Sequence, residues 1–262
     1  MMFQTTVVAS GSKGNCVLVQ SDSTALLVDA GVSMRRILEV MDRFNIPREK
    51  LAGVLVSHEH SDHIRSVGAI SRRLDVPIYI NRLTLSSCAE KLGNVGDKIS
   101  LFNTGSSFRV GDIVVEAFSS SHDAADSCNF VLYPESEPSI KLGVATDLGY
   151  PSQLSVHKLS NTSTLILESN HDEIMLMEGP YDWHLKQRIR SQHGHLSNKQ
   201  AVGLISSLIH PGLKNLILAH LSEINNCPII AERTMREYLE SIRCEVKLLV
   251  AQQDSHTPLI DV

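Results

Sequence analysis

Short apolar runs alternate with polar turns from the start of the chain. Val7-Val8-Ala9 closes a first run, Ser10-Gly11-Ser12-Lys13-Gly14-Asn15 interrupts it, and Cys16-Val17-Leu18-Val19 resumes it, which predicts two strands joined by a turn. A third strand is predicted over 24–28, ending in Asp29-Ala30-Gly31. Residues 51–56 are nearly all apolar and rich in Val and Leu, so they read as a buried strand. Ile64, Val67, Ile70 and Leu74 then fall at helical spacing, with Ser61 or Asp62 as the N-cap. Further helices are predicted over 33–44, 82–92, 181–192, 199–209 and 229–242. Ser197 is the expected cap of the helix at 199–209. Further strands are predicted over 77–80, 107–110, 113–118, 128–133, 139–145, 163–167, 213–219 and 246–250, with the tail through Val262 as an edge segment. Strands interleaved with helices make this an α/β chain. No linker interrupts residues 1–120, no short-period repeat appears, and residues 1–262 are expected to form one domain.

Composition narrows the picture without naming a function. Hydrophobic residues make up 42% of the 262, enough for a sizeable core, and 20% charged residues argue against global disorder. Aromatics are only 5%, so no base-stacking platform is advertised. The net charge of −5 argues against a large non-specific nucleic-acid surface, but not against a nuclease, because bound cations supply positive charge at the site itself. The cysteines, Cys16, Cys88, Cys128, Cys227 and Cys244, are odd in number and scattered, as expected of reduced thiols in a cytoplasmic protein. The first nine residues do not read as a signal peptide, and no run of 18 apolar residues predicts a membrane span.

The chemistry concentrates in Ser57-His58-Glu59-His60-Ser61-Asp62-His63, a loop between a core strand and a helix. His58 and His60, two apart on an extended turn, can face one metal, while Asp62 and His63 near the helix start can face a second. Imidazole with carboxylate suits Zn²⁺, Mn²⁺ or Fe. A surface loop rich in histidine would explain the same letters, but ligand-type residues seldom crowd the end of a buried strand without a metal. Other strand ends carry weaker signals: Asp29 would also serve as a turn residue capping the next helix, His122 as a structural histidine, Asp147 as a turn residue before Gly149. The Gly-Ser-Lys-Gly loop offers N–H groups and a lysine to a phosphate, yet it lacks P-loop spacing, and a hairpin turn explains it better.

The H-x-H-x-D-H run after a hydrophobic strand resembles the signature of the metallo-β-lactamase superfamily. The series Asp29, His58 to His63, His122, Asp147 and His220 matches that superfamily's motifs in order across most of the chain. The resemblance implies a four-layer αββα sandwich with metals at one edge, between the sheets. It also implies a ligand set: His58, His60 and His122 on one ion, Asp62, His63 and His220 on a second, Asp147 bridging, and Asp29 orienting a ligand from behind. Glu168, Gly194-His195-Leu196-Ser197 and Ala219-His220-Leu221-Ser222 are similar to the later motifs of the tRNA-3′-processing and β-CASP nucleases. The interval from Asp147 to His220 leaves no room for a β-CASP insertion. S-G-S-K-G-N-C, T-D-L-G, E-S-N-H-D and H-L-S-x-x-N-N look most like the YycJ/WalJ family of small bacterial exonucleases. That resemblance implies 5′→3′ exonuclease activity on DNA with two divalent ions, Zn or Mn. A carboxylate at Asp147, where the antibiotic-hydrolysing branch has Cys or His, argues against β-lactam hydrolysis.

Within this reading Asp62 steers the attacking water, His195 protonates the leaving oxygen, and Glu168 holds the His195 tautomer; a helix-entry histidine without a proton role explains His195 equally well. Ser197 is expected to receive a phosphate at a helix start, with Asn170, His171, Asn225 and Asn226 near the mouth. Two other classes stay open: hydrolysis of a small thioester or lactone, and a non-enzymatic metal-binding regulator. The sequence leaves the oligomeric state open.

Overall fold

A computed structural model describes residues 2–262. In chain order it contains β1 (Phe3–Ala9), β2 (Cys16–Ser21), β3 (Ala25–Val28), α1 (Met34–Arg43), β4 (Leu51–Leu55), α2 (Ser61–Ile64), α3 (Val67–Leu74), β5 (Ile78–Asn81), α4 (Arg82–Leu92) and β6 (Ile99–Phe102). The second half follows with β7 (Ser107–Val110), β8 (Ile113–Ser119), β9 (Cys128–Pro134), β10 (Leu142–Ala145), α5 (Gln153–Leu159) and β11 (Thr164–Glu168). It closes with α6 (Glu173–Glu178), α7 (Trp183–Arg190), α8 (Asn198–Ser206), β12 (Asn215–Ala219), α9 (Pro228–Ser241), β13 (Lys247–Val250) and β14 (Ile260–Asp261).

Two seven-stranded sheets result, ordered β14-β1-β2-β3-β4-β5-β6 and β13-β12-β11-β10-β9-β8-β7. Each starts with antiparallel hairpins and continues as a parallel set, β3 to β6 in one and β10 to β13 in the other. The parallel strands are apolar on both faces because both faces are covered. Val17, Leu26, Leu55, Val115, Phe130, Val144, Ile166 and Ile217 meet between the sheets. The opposite faces pack outward, Leu18, Leu27, Val54 and Ile78 against Ile37, Met41, Val67 and Ile70. On the other side Leu165, Leu167, Leu216 and Leu218 pack against Leu159, Leu204, Ile205 and Met235. The layers are helix, sheet, sheet, helix: an αββα sandwich.

Local differences from the sequence expectation have physical causes. The helix expected after the histidine loop is split at Arg65–Ser66, where the Ser66 N–H leaves the helical ladder and donates to Ala30 O at 2.8 Å. Its N-cap is His60, with no side-chain cap bond, not Ser61 or Asp62. The strand expected from residue 139 begins at Leu142. The helix expected over 181–192 is confined to Trp183–Arg190, capped by Asp182 and closed at Ser191. α5, α6 and β6 were not expected; α6 buries only Leu176, so it has no apolar period to read. The tail pairs as an edge strand through Gln4↔Asp261 and Thr5↔Ile260.

Candidate metal centre

In open parallel sheets, functional groups gather beyond the carboxyl ends of the strands. Here β3 delivers Asp29, β4 delivers Ser57 and His58, β10 delivers Asp147, β11 ends in Glu168, and β12 delivers His220. The two sheets bring these tips together across their common edge. Asp29, Asp147 and His220 have φ of 59°, 54° and 54°. This left-handed region is one that residues other than glycine seldom occupy, and it concentrates at functional sites.

Four groups of donor atoms form, each within 4.8 Å of one another: His58, His60 and His122; His58, His63 and Asp147; Asp62, His63 and His220; and Asp147, Glu168, His195 and His220. His122 Nε2 lies 3.3 Å from His60 Nδ1. That separation is the edge of a tetrahedron with bonds of about 2.0–2.1 Å, the length of a zinc–imidazole bond. His63 Nε2 is 3.4 Å from Asp62 Oδ2 and 3.2 Å from Asp147 Oδ2. His220 Nε2 is 3.6 Å from both Asp62 Oδ2 and Asp147 Oδ1. Asp147 Oδ1 is also 3.6 Å from His122 Nε2, so the carboxylate stands between the trio His58, His60 and His122 and the group Asp62, His63 and His220.

Most of the ring nitrogens facing away from the cluster are held from behind. His63 Nδ1 donates to Asp29 Oδ2 at 2.7 Å. The same oxygen accepts from Ser57 Oγ at 2.7 Å, and Ser57 Oγ in turn lies 2.9 Å from His58 Nδ1. With Ser57 donating to Asp29, His58 Nδ1–H donates to Ser57. His122 Nδ1 donates to Gly194 O at 3.2 Å. Glu168 Oε1 accepts from His195 Nδ1 at 2.7 Å and His220 Nδ1 at 2.9 Å, while Oε2 accepts the Leu148 and Leu196 N–H groups at 3.0 Å. Each bond fixes one tautomer and leaves the Nε2 lone pair of His58, His63, His122 and His220 for a metal.

The site needs cations to be complete. His58 Nε2, Asp147 Oδ2 and His220 Nε2 are buried and have no hydrogen-bond partner among the described residues. Such orphaned groups are costly unless something binds them. Burial and the neighbouring His63 keep His58 neutral, the form that ligates. Burial alone would lower His220, but Asp147, Asp62 and Glu168 around it reverse this and raise it to about 10. Burial likewise opposes ionisation of Asp147, and the imidazoles of His220 and His63 overcome it, holding the carboxyl well below its usual range. Buried carboxylates that stay ionised form an acidic cage suited to divalent ions.

Comparison with known proteins bears on the same residues. Residues 9–115 match the family model described as the metallo-beta-lactamase superfamily. The chain is 37% identical over 235 residues to "Exodeoxyribonuclease YycJ" of Bacillus anthracis, covering 89% of this chain and 88% of that one. It is 34% identical to "Exodeoxyribonuclease WalJ" of Streptococcus pneumoniae, covering 99% and 98%. The chain belongs to the YycJ/WalJ family of the metallo-β-lactamase superfamily. Solved structures agree on the fold: the metallo-beta-lactamase fold protein YhfI from Bacillus subtilis superposes with a TM-score of 0.71 at 18% identity, covering 98% and 99% of the two chains. Zn²⁺-bound PqqB from Methylobacterium extorquens gives 0.71 at 13% identity, covering 97% and 99%. Superfamily membership and the donor clusters together make this edge a divalent-metal site.

The structure distributes the remaining sequence candidates unevenly. Asn170 lines the cavity over the cluster, together with His60, Asp62, His122, Asp147, His195 and His220. Ser197, His171 and Asn226 are buried and do not line it. Ser197 Oγ accepts the Gln200 N–H as part of a capping box. Asn226 Nδ2 donates to Ser169 O, Asn170 O and Asn198 Oδ1, and so braces the loop behind Asn170. Asn225, expected near the mouth, is fully buried. Sequence reasoning gave no role to Ser57, Asn15 or Ser10. Asn15 Nδ2 donates to Asp62 Oδ2 at 3.2 Å, and Asn15 Oδ1 accepts from Ser10 Oγ and the Gly11 N–H. Ser10 Oγ also accepts the His220 N–H at 2.7 Å. The first loop is thus a brace tying two ligand segments together, and the one signal for it was the S-G-S-K-G-N run itself. No helix among the described residues is long and apolar enough to cross a membrane.

Proposed function

We propose that this single-domain protein is a dinuclear, metal-dependent phosphodiesterase that removes nucleotides from DNA ends in the 5′→3′ direction, in the cytoplasm. The observation that carries this reading is Asp147, set between a trio of histidines (His58, His60, His122) and the group Asp62, His63 and His220. A carboxylate there can bridge two ions and hardens the donor set toward Zn²⁺ or Mn²⁺. Near full-length similarity to proteins named exodeoxyribonuclease supports DNA as the substrate.

When bound, the two ions would acidify a water and withdraw charge from a phosphoryl oxygen. The chain's own residues do the rest. Asp62, one-fifth exposed beside the cavity, accepts a hydrogen bond from the attacking water and aims it. His195 also lines the cavity, and with Nδ1 fixed on Glu168 it presents its other nitrogen to the leaving oxygen as a proton donor. Buried Glu168 accepts from both His195 and His220, so proton transfer and ligand orientation share one anchor.

The test is purified protein supplied with Mn²⁺ or Zn²⁺, incubated with end-labelled DNA and, separately, with a glutathione thioester. A ladder of mononucleotide losses from the 5′ end is expected. Rapid thioester turnover with intact DNA would reverse the assignment.

A further inference from the structure

Among the outer-layer helices, α7 is unusual in burying no residue. Two of its apolar side chains, Leu185 and Ile189, are one turn apart, the third, Trp183, is exposed to solvent, and Tyr181 lies just before the helix. Tyr181, Leu185 and Ile189 line the same cavity of about 400 Å³ as His60, His122, Asp147 and His195. Polar tethers hold the helix there. Lys186 Nζ donates to Met177 O and Gly179 O at 2.8 and 2.7 Å, and His195 N donates to Ile189 O at 2.9 Å. Gly194 lies so near that a Cβ on it would come 2.1 Å from Ile189 O. The helix is fixed by polar bonds, so its apolar stripe serves the cavity instead of the core.

Arg188 lies on the same wall, and Asp123 engages it through Nε and Nη2. A guanidinium carries further donors on Nη1, in the geometry that suits a phosphate. The cavity is thus lined by candidate metal ligands and by an apolar stretch with a single cation. Its occupant must join a reacting anion to an apolar face, with a second anion within reach. The volume lies within the ~300–1,000 Å³ of sites that hold one small ligand, the scale of a single nucleotide.

We propose that α7 is the wall that selects a nucleotide: the base of the strand's terminal residue packs on Tyr181, Leu185 and Ile189, and Arg188 binds a phosphate of the same strand end. This rests on the nuclease reading and names what the cavity recognises. The test compares single-stranded oligonucleotides whose 5′-terminal residue is thymidine or an abasic tetrahydrofuran, cleaved by metal-loaded wild type and by the Leu185→Gln/Ile189→Gln double variant. Neither side chain belongs to the core, so circular dichroism and melting should match wild type. The wild type should prefer the base-bearing end by ~10-fold in kcat/KM, the scale of one lost base contact, and the double variant should bring that ratio close to one. Arg188→Gln should weaken cleavage of both oligonucleotides and leave their ratio as in wild type. A wild type without preference, or a double variant that keeps it, overturns the inference while the nuclease reading stands. A wild type that cleaves neither oligonucleotide overturns both.

Discussion

Replacing Glu168 by Gln changes one atom in the best-connected side chain of the site. The carboxylate is fully buried and accepts two imidazoles on Oε1 and two backbone N–H groups on Oε2. Burial by itself would raise the carboxyl, yet the His195 and His220 imidazoles outweigh it and bring it down to about 2. In the variant, the amide oxygen can keep Leu148 and Leu196, which turns the NH₂ toward His195 Nδ1 and His220 Nδ1. Both imidazoles must then accept at Nδ1 and carry their proton on Nε2. For His220 that is the nitrogen in reach of Asp62 and Asp147, so it ceases to be a ligand. Two charge-assisted bonds at about 1.5–3 kcal/mol each are weakened rather than abolished, which puts the loss near 3 kcal/mol. For a chain of this size that is a drop of about 6–12 °C in melting temperature. Loss of an outer partner of a ligand histidine typically weakens metal binding by roughly 10–100-fold. Differential scanning calorimetry of the metal-free variant and inductively coupled plasma analysis after dialysis measure the two effects separately. An E168Q protein that melts like wild type and retains the same ion content would refute the argument that Glu168 sets both tautomers.

Chelation with EDTA should abolish turnover and lower the melting temperature. Restoring Mn²⁺ or Zn²⁺ at 100 times its dissociation constant should return about 2.7 kcal/mol of stability; an unmoved melting curve would exclude a metal that binds the native state. Gly31→Ala would place a Cβ 1.5 Å from Asp62 O and 2.8 Å from Asn15 N, where the two ligand-bearing loops meet. A loss of about 3 kcal/mol is expected together with weaker ion binding, and a variant with wild-type melting and ion content would show that the loops yield freely. Away from the site, burial opposes ionisation of Glu116, and Lys158 and Tyr133 more than compensate, holding its carboxyl below the usual range. A lowered acid stabilises the fold above its unfolded value of about 4.3 and loses that contribution as pH falls through the lower native value. Glu116→Gln should therefore flatten the acid side of a plot of melting temperature against pH, and an unchanged slope would deny the linkage.

What could be read in the letters was the recurrence of a ligand-type residue at the end of an apolar run. β4 then His58, β10 then Asp147, β11 closing in Glu168 and β12 then His220 all follow it, because a buried strand and its exposed tip differ sharply in polarity. The αββα layering came from the family resemblance; the apolar strands permit it without requiring it. The left-handed turns at Asp29, Asp147 and His220 were not legible, since none is glycine and the conformation is imposed by tertiary bonds such as Asp29 N–H to Leu55 O. Nor did spacing reveal Ser57 and Asn15 as braces, because each acts on residues brought near by folding. Ser197 caps its own helix, as expected, but is buried and does not line the cavity where it was also expected to receive a phosphate. Leu185 and Ile189 of α7 have the spacing of a core helix, and it is the fold that sets them along the cavity.

The seam between the sheets has one more consequence. The candidate ligands that follow β4 stand on one sheet and those that follow β8, β10 and β12 on the other, so any slippage of one slab over its neighbour would pull the donor groups apart. A substitution deep in the shared interior, such as Phe130→Leu, should therefore dim catalysis long before it loosens the protein as a whole. Cobalt in place of the native ions would give that misalignment a colour.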